Sequence, residues 1–259
     1  MKSMIQGRFK VIEELSKGST SNCYLCEDTS ECRKVVLKII PRDKYSEENF
    51  TNEVKLLDIC KDPAVISVYD TITSKEEFII VMEPGTHDLL NYIQENGPLT
   101  EKTTRYYFYS LIQALKVMHS HHIVHNDVKL ENLVVTKDDK IKLIDFGLSE
   151  KLEINGKSKM FRGTFHYLAP EVMMFKPHDT KSDIWSLGVS LFAALTNEFP
   201  FDGDNQYEYS MNALQKPPKT ELLEKKRVSE SLVSMIQKML EKDPEKRISI
   251  EDCCKFNWL

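Results

Sequence analysis

Residues 125–132 read His-Asn-Asp-Val-Lys-Leu-Glu-Asn, which packs two acceptors and one cation, Asp127, Lys129 and Asn132, into six positions. A short hairpin-like segment then leads to Asp145-Phe146-Gly147. A carboxylate in reach of a hydroxyl can orient it and accept its proton. Carboxylate and amide oxygens are hard ligands for a divalent cation. Asp127, Asn132 and Asp145 could therefore meet around a metal and a transferring group, with Lys129 offsetting negative charge. One such aspartate alone would read as a turn residue. Two at this spacing, with Lys129 and Asn132, do not.

The elements that must position these residues follow from periodicity. Phe9 to Leu15 and Asn22 to Glu27 read as strands around the polar turn Ser16–Ser21. Val35-Val36-Leu37-Lys38-Ile39-Ile40 is a buried-strand run with one lysine in its middle, a charge that is costly unless paired. Glu47 to Cys60 reads as a helix with Phe50, Val54 and Leu57 on one face, and its Glu53 is a better partner for Lys38 than Glu48, a turn nearer the helix start. Asp62-Pro63 breaks that helix. Val65 to Thr73 and Glu77 to Met82 read as two more strands, followed by the Pro84-Gly85 break. Beyond lie a short helix from Leu89, a helix from Glu101 to His119 whose apolar face is Phe108, Leu111, Ile112, Leu115 and Met118, and a surface turn at Lys137–Lys140. A helix from Ile184 to Leu195 opens with Thr180-Lys-Ser-Asp183, spaced as a capping box. Tyr106, Tyr107 and Tyr109 read as packing residues.

The 259 residues suffice for one two-lobed domain or two small ones. A net charge of -5 argues against non-specific nucleic-acid binding, and Lys225-Lys226-Arg227 reads as a solvated helix end. No window approaches a membrane span and the N-terminus lacks a secretory h-region. Cys23 and Cys26 lie in a C-x-x-C without a second pair, and on a strand they would face opposite sides. Reduced thiols in an intracellular, cytoplasmic protein are the expectation for all six cysteines. His119, His121, His122 and His125 lack the companions of a metal site.

In order along essentially the whole chain, these motifs resemble the eukaryotic protein kinase family, Ser/Thr type, most like calcium/calmodulin-dependent and AMP-activated-like kinases. The carriers are Asp127-x-x-x-x-Asn132, Asp145-Phe-Gly, Gly163-Thr-Phe-His-Tyr-Leu-Ala-Pro-Glu171 and Asp183-Ile-Trp-Ser-Leu-Gly188. The closing Phe256-Asn-Trp-Leu259 resembles the end of the catalytic domain in those kinases, with no regulatory tail expected after it. The resemblance implies an α+β bilobal fold, with a mostly β N-lobe at 1–82, a hinge at 83–85 and a mostly α C-lobe at 86–259. It implies ATP and Mg²⁺ as cofactors and proteins as substrates, with any regulatory partner unknown. Asp127 would take the hydroxyl proton, Lys129 would stabilise the γ-phosphate, and Thr164 would bridge the two, a Ser/Thr-directed trait. Lys38, paired with Glu53, would hold the α/β-phosphates, and Asn132 and Asp145 would ligate Mg²⁺. Ser16, Lys17, Gly18 and Ser19 would cover the phosphates. Cys23, Val36, Met82, Val134 and Ile144 would enclose adenine, whose edge would meet the Glu83 carbonyl and the Gly85 amide. Asp88 would meet ribose or a basic substrate residue, and Glu131 completes the nucleotide set. Glu171 would pair with Arg247, and Asp183 would brace the loop at 125–127.

Two motifs depart from the family. Its Gly-rich turn keeps only Gly18, with Ser16, Ser21 and Cys23 at the other positions. Asn126 stands where the family has the Arg that binds an activation-loop phosphate, so activity without activation-loop phosphorylation is expected. Ser149 and Ser158 are the acceptors in that loop, and Lys151, Lys157, Lys159 and Arg162 the alternative phosphate ligands. A pseudokinase scaffold is the competing reading, drawing on Ser16, Ser21 and Cys23. A small-molecule kinase fits poorly with the Gly163–Glu171 segment. Asp88, Glu131 and either Asp202 or Asp204 point to basic residues near the target hydroxyl.

Overall fold

The structure, a computed structural model, describes residues 4–18 and 20–258. One half is an antiparallel sheet with a helix behind it. In chain order its elements are β1 (Met4–Ile5), β2 (Phe9–Lys17), β3 (Asn22–Asp28), β4 (Arg33–Pro41), α1 (Glu47–Ile59), β5 (Val68–Thr73) and β6 (Glu77–Met82), and the strands lie in the order β1-β2-β3-β4-β6-β5. Side chains alternate across a strand. Val35, Leu37 and Ile39 of β4 join Ile79 and Val81 of β6 in an outer cluster. Val36 and Ile40 join Ile80 and Met82 in the main core, and Lys38 shares their face. The same alternation separates Cys23, against the main core, from Cys26, in the outer cluster.

The remaining chain is mostly helical. It comprises β7 (His87–Asp88), α2 (Leu89–Asn96), α3 (Glu101–Ser120), β8 (Ile123–Val124), β9 (Leu133–Val135), β10 (Ile141–Leu143), β11 (Glu150–Lys151), α4 (Pro170–Met173), α5 (Lys181–Thr196), α6 (Gln206–Gln215), α7 (Thr220–Lys225), α8 (Glu230–Met239) and α9 (Ile250–Cys254). The expected apolar face of α3 is wholly buried. Helix α5 is buried from Ser182 to Thr196, as an apolar-all-round helix must be. Strand β9 sits between β10 and β7, and this small sheet frames residues 125–145. Among the described residues, no helix is long and apolar enough to cross a membrane.

Three local expectations need correction. Ser16 and Lys17 belong to β2 rather than to the turn, pairing with Cys23 and Asn22. The ladder runs further because serine, unlike glycine, does not weaken a strand interior. Thr180 makes no side-chain cap. Asp179 accepts the Lys181 amide instead, at 2.9 Å, and Asp183 turns away from the helix start. Of the three tyrosines on α3, only Tyr107 is buried, donating to Asp139 at 2.5 Å, while Tyr106 and Tyr109 are exposed.

Glu171, at the start of α4, and Arg247 form a bidentate pair at 2.7 and 2.8 Å, both side chains almost fully buried. Arg247 also donates to the carbonyls of Lys181 and Glu241. Removing one partner strands a desolvated charge, which costs about 3–5 kcal/mol. Arg247→Ala is expected to lower the unfolding free energy by that amount in urea titrations. Arg247→Lys should recover only part of it, because an ammonium cannot make the forked contact.

Candidate active site

Lys38 sits in mid-strand, flanked in the sheet by Cys23 and Ile80. Its ammonium is 2.7 Å from Glu53 Oε1 on α1 and 2.7 Å from Asp145 Oδ1. Burial alone would pull the lysine pKa down. The two carboxylates outweigh it, and the proton is held more tightly than in an exposed lysine. Burial would likewise raise Asp145, but Lys38 holds it below the ordinary carboxylate value. Tyr45, just ahead of α1, points its hydroxyl at this cluster, and burial with the Glu53 charge keeps the phenol protonated.

The loop at 125–132 is pinned from beneath. Asp183 Oδ2 accepts the His125 amide at 2.8 Å and Oδ1 the Asn126 amide at 2.9 Å. Its Oδ2 also meets His119 Nε2 at 3.0 Å, which gives one of the histidines noted above its role. Burial would raise Asp183, but these donors, His119 foremost, lower it. The sequence expectation of a loop brace is met, and the helix cap is what it displaces.

Above that brace, Asp127 is surrounded by donors. Oδ1 accepts from the Thr164 amide at 3.0 Å and the Thr164 hydroxyl at 2.8 Å. Oδ2 meets Lys129 Nζ at 2.8 Å and Asn132 Nδ2 at 2.9 Å. Lys129 Nζ also donates to Thr164 Oγ1 at 2.6 Å, so the expected bridge is present. Gly163, at φ 112, makes the bend that delivers Thr164, a backbone conformation suited to glycine. The Asn132 amide nitrogen is committed to Asp127, while its Oδ1 and Asp145 Oδ2 have no protein partner among the described residues. These are hard oxygens of the kind a magnesium ion takes alongside water and phosphate.

The residues expected to enclose the nucleotide come from both the sheet and the segments around this loop. Val36 pairs with Met82 across the sheet, with Val134 and Ile144 against the same core. Gly85 lies over Val134, and a Cβ on Gly85 would come within 2.9 Å of the Val134 Cβ, so glycine sets the slot's width there. The Glu83 carbonyl and the Gly85 amide make no protein hydrogen bond among the described residues. The Glu83 carboxylate turns away, to Lys142 at 2.6 Å and the Ser67 amide at 2.7 Å. Burial would raise it, and these partners lower it. The turn after β2 closes with the Gly18 amide donating to Ser21 at 2.9 Å, while Ser19 lies outside the described residues. Burial raises the Cys23 thiol. Asp88 is occupied as the cap of α2, with both oxygens on Asn91, so it is less free for ribose than expected. Glu131 accepts from Tyr167 at 3.1 Å, and Asp202 is held by Lys219 at 2.7 Å.

The loop at 148–163 is tied through Asn126 and Ser158, and their partners His178 and Glu150 were not singled out by the sequence. Asn126 Nδ2 donates to the Leu148 carbonyl at 3.0 Å, and its Oδ1 lies 3.1 Å from His178 Nε2. Ser158 and His178 exchange backbone hydrogen bonds at 2.7 and 2.9 Å. The Ser158 hydroxyl donates to Glu150 at 2.6 Å. Ser149 and Ser158 are only 2% and 1% exposed, so neither hydroxyl is offered to solvent.

A protein kinase domain model matches residues 9–259. The chain is 31% identical to CBL-interacting protein kinase 11 of Oryza sativa, over 99% of this chain and 52% of that protein. It is equally identical to the carbon catabolite-derepressing protein kinase of Saccharomyces cerevisiae (97% and 40%) and to the probable serine/threonine-protein kinase MARK-A of Dictyostelium discoideum (98% and 24%). The chain belongs to the protein kinase family, with serine/threonine kinases as its relatives, and has that family's bilobal α+β fold. Proteins of this family use ATP with Mg²⁺. The chain spans about half or less of the length of these relatives.

His125 carries a testable consequence. It is fully buried, and Nδ1 accepts the Asp127 amide at 3.2 Å, so the ring proton is on Nε2, which has no hydrogen-bond partner among the described residues. Burial lowers its pKa despite the nearby Asp183 and Asp127. The unfolded chain takes up a proton near pH 6.5 while the folded chain does not. This contribution is therefore full above about pH 6.5 and declines as pH falls, by up to about 1.4 kcal/mol per pH unit. Denaturant titrations between pH 7.5 and 5.5 should show the slope, and His125→Gln should reduce it.

Proposed function

We propose that the chain is the catalytic domain of an active serine/threonine protein kinase, with its N-lobe at 1–82, hinge at 83–85 and C-lobe at 86–259. It transfers the γ-phosphate of ATP to protein hydroxyls and does not depend on activation-loop phosphorylation. The observation that carries the reading is Lys38 held 2.7 Å from both Glu53 and Asp145. A buried ammonium costs desolvation, and a scaffold that had abandoned nucleotide chemistry gains nothing by keeping one there.

In this reading Asp127 orients the substrate hydroxyl and accepts its proton, with Thr164 and Asn132 fixing the carboxylate's plane. Lys129 offsets charge on the transferring group, and Lys38 holds the α/β-phosphates. Cys23, Val36, Met82, Val134 and Ile144 enclose adenine, and the Glu83 carbonyl and Gly85 amide recognise its edge. Ser16, Lys17, Gly18 and Ser19 cover the phosphates, while Asp88 and Glu131 border the site. Asn132 and Asp145 hold Mg²⁺, which supplies charge neutralisation across the phosphate oxygens. The work of the protein is positioning and electrostatics.

Independence from loop phosphorylation is supported by the neutral network around Asn126. Asn cannot form a charged pair with phosphate, and its side chain is already satisfied by Leu148 and His178. Ser158 is buried against a carboxylate, where a phosphate would meet like charge. Lys157 is engaged with Asp179 and Glu245.

The experiment is transfer of labelled γ-phosphate to a generic Ser/Thr substrate. Wild type and Ser158→Ala should be comparably active, also after phosphatase treatment. Asp127→Asn should lose at least about 100-fold, the lower end for a positioned general base. Absence of wild-type transfer, with nucleotide bound independently of Mg²⁺, would instead support the scaffold that the glycine-poor turn suggests. A Ser158→Ala enzyme reduced to background would end the phosphorylation-independent reading.

A further inference from the structure

Residues 42–46 link β4 to α1, and Tyr45 lies next to the helix cap, Ser46, whose hydroxyl accepts the Asn49 amide at 3.1 Å. The Tyr45 ring is half-buried against the main core. Its hydroxyl is 3.1 Å from Glu53 Oε2 and 3.3 Å from the Gly147 carbonyl. Lys38 occupies the other oxygen, Glu53 Oε1. Among the described residues, no other group hydrogen-bonds Oε2. A Cβ built on Gly147 would meet Asp145 Oδ1 at 3.2 Å, and Glu53 Oε2 and the Tyr45 hydroxyl both at 3.6 Å. Three polar groups from three elements thus converge on one backbone position.

We propose that Tyr45 is a positioning residue for phosphoryl transfer, its hydroxyl tying helix α1 to the Asp145-Phe146-Gly147 turn. The proposal rests on the kinase reading. The phenol has one proton and two acceptors. That proton lies between them in a three-centre bond, nearer the Glu53 carboxylate as the stronger acceptor. Lys38 fixes Glu53 from the sheet side and Tyr45 from the turn side, so the carboxylate cannot swing out with its helix without losing both. The tie is made from within the chain and needs no phosphate. It supplies for α1 what the Asn126 network supplies for the loop at 148–163.

Tyr45→Phe removes the oxygen and keeps the ring. In the full chain it is expected to remain folded, with its melting temperature within a few degrees of wild type. Amide hydrogen exchange in α1 and around Gly147 should accelerate, and affinity for the magnesium complex of a non-hydrolysable ATP analogue should fall. Each change should be roughly tenfold, the size of one lost hydrogen bond to a charged group. With a peptide substrate, kcat should drop while the peptide KM stays put. In a Glu53→Gln background the same change should add little, because the two groups act as a unit. Unchanged exchange and unchanged nucleotide affinity in Tyr45→Phe would overturn the proposal, as would full additivity with Glu53→Gln, which would reassign Tyr45 to packing. If wild type transfers no phosphate, the kinase reading fails, and exchange and nucleotide affinity still decide the tie.

Discussion

An ammonium inside a β-sheet is the constraint from which the arrangement follows. Lys38 lies on the core-facing side of β4, where a lone charge would be prohibitively desolvated. It can be kept only if carboxylates come to it, and neither is local. Glu53 arrives on α1 and Asp145 on the far side of the cleft. Satisfying one side chain therefore fixes the helix against the sheet and the sheet against the loop below. The cleft is where three separately folded segments must meet to neutralise one charge.

The same logic recurs deeper in the helical half. Asp183 is buried at the start of α5 and is satisfied by two loop amides and a histidine instead of by its own helix. Glu171 and Arg247 join α4 to a segment 76 residues later. Each is a charge whose burial is tolerable in only one relative placement of two distant segments. Together they make the loop at 125–132 a rigid platform rather than a flexible connection, as a site that works by positioning requires.

Much of this was legible beforehand, and the limits have a common cause. A lysine inside an apolar strand run called for a buried partner, and position along the helix picked Glu53 over Glu48, because both depend on neighbours within a turn or a strand. The Asp127, Lys129 and Thr164 cluster was legible because the motifs carrying it are long. Local pattern failed where a side chain had a better distant partner. Thr180–Asp183 has the spacing of a capping box, yet Asp183 serves the loop some 57 residues earlier. Lys142 lies in an apolar run that gives no local sign of a partner, and it is buried on Glu83. Tyr45, Glu150 and His178 carried no signal, since their partners are set only by the closed fold. Ser16 and Lys17 were misplaced for a different reason: the glycine spacing suggested a wide turn, and the residues present can extend the strand.

The ties along the loop at 148–163 differ in electrical character. Some are enclosed and uncharged or half-charged: Asn126 with His178 and the Leu148 carbonyl, and a Ser158 hydroxyl sealed against Glu150. The neighbouring Lys157 is partly exposed, at 3.7 Å from Asp179 and 3.5 Å from Glu245. Mobile ions screen exposed pairs over a distance of about 8 Å at physiological strength but scarcely touch enclosed dipoles. Rising ionic strength thus weakens the Lys157 pairs and leaves the ties at Asn126 and Ser158 as they were.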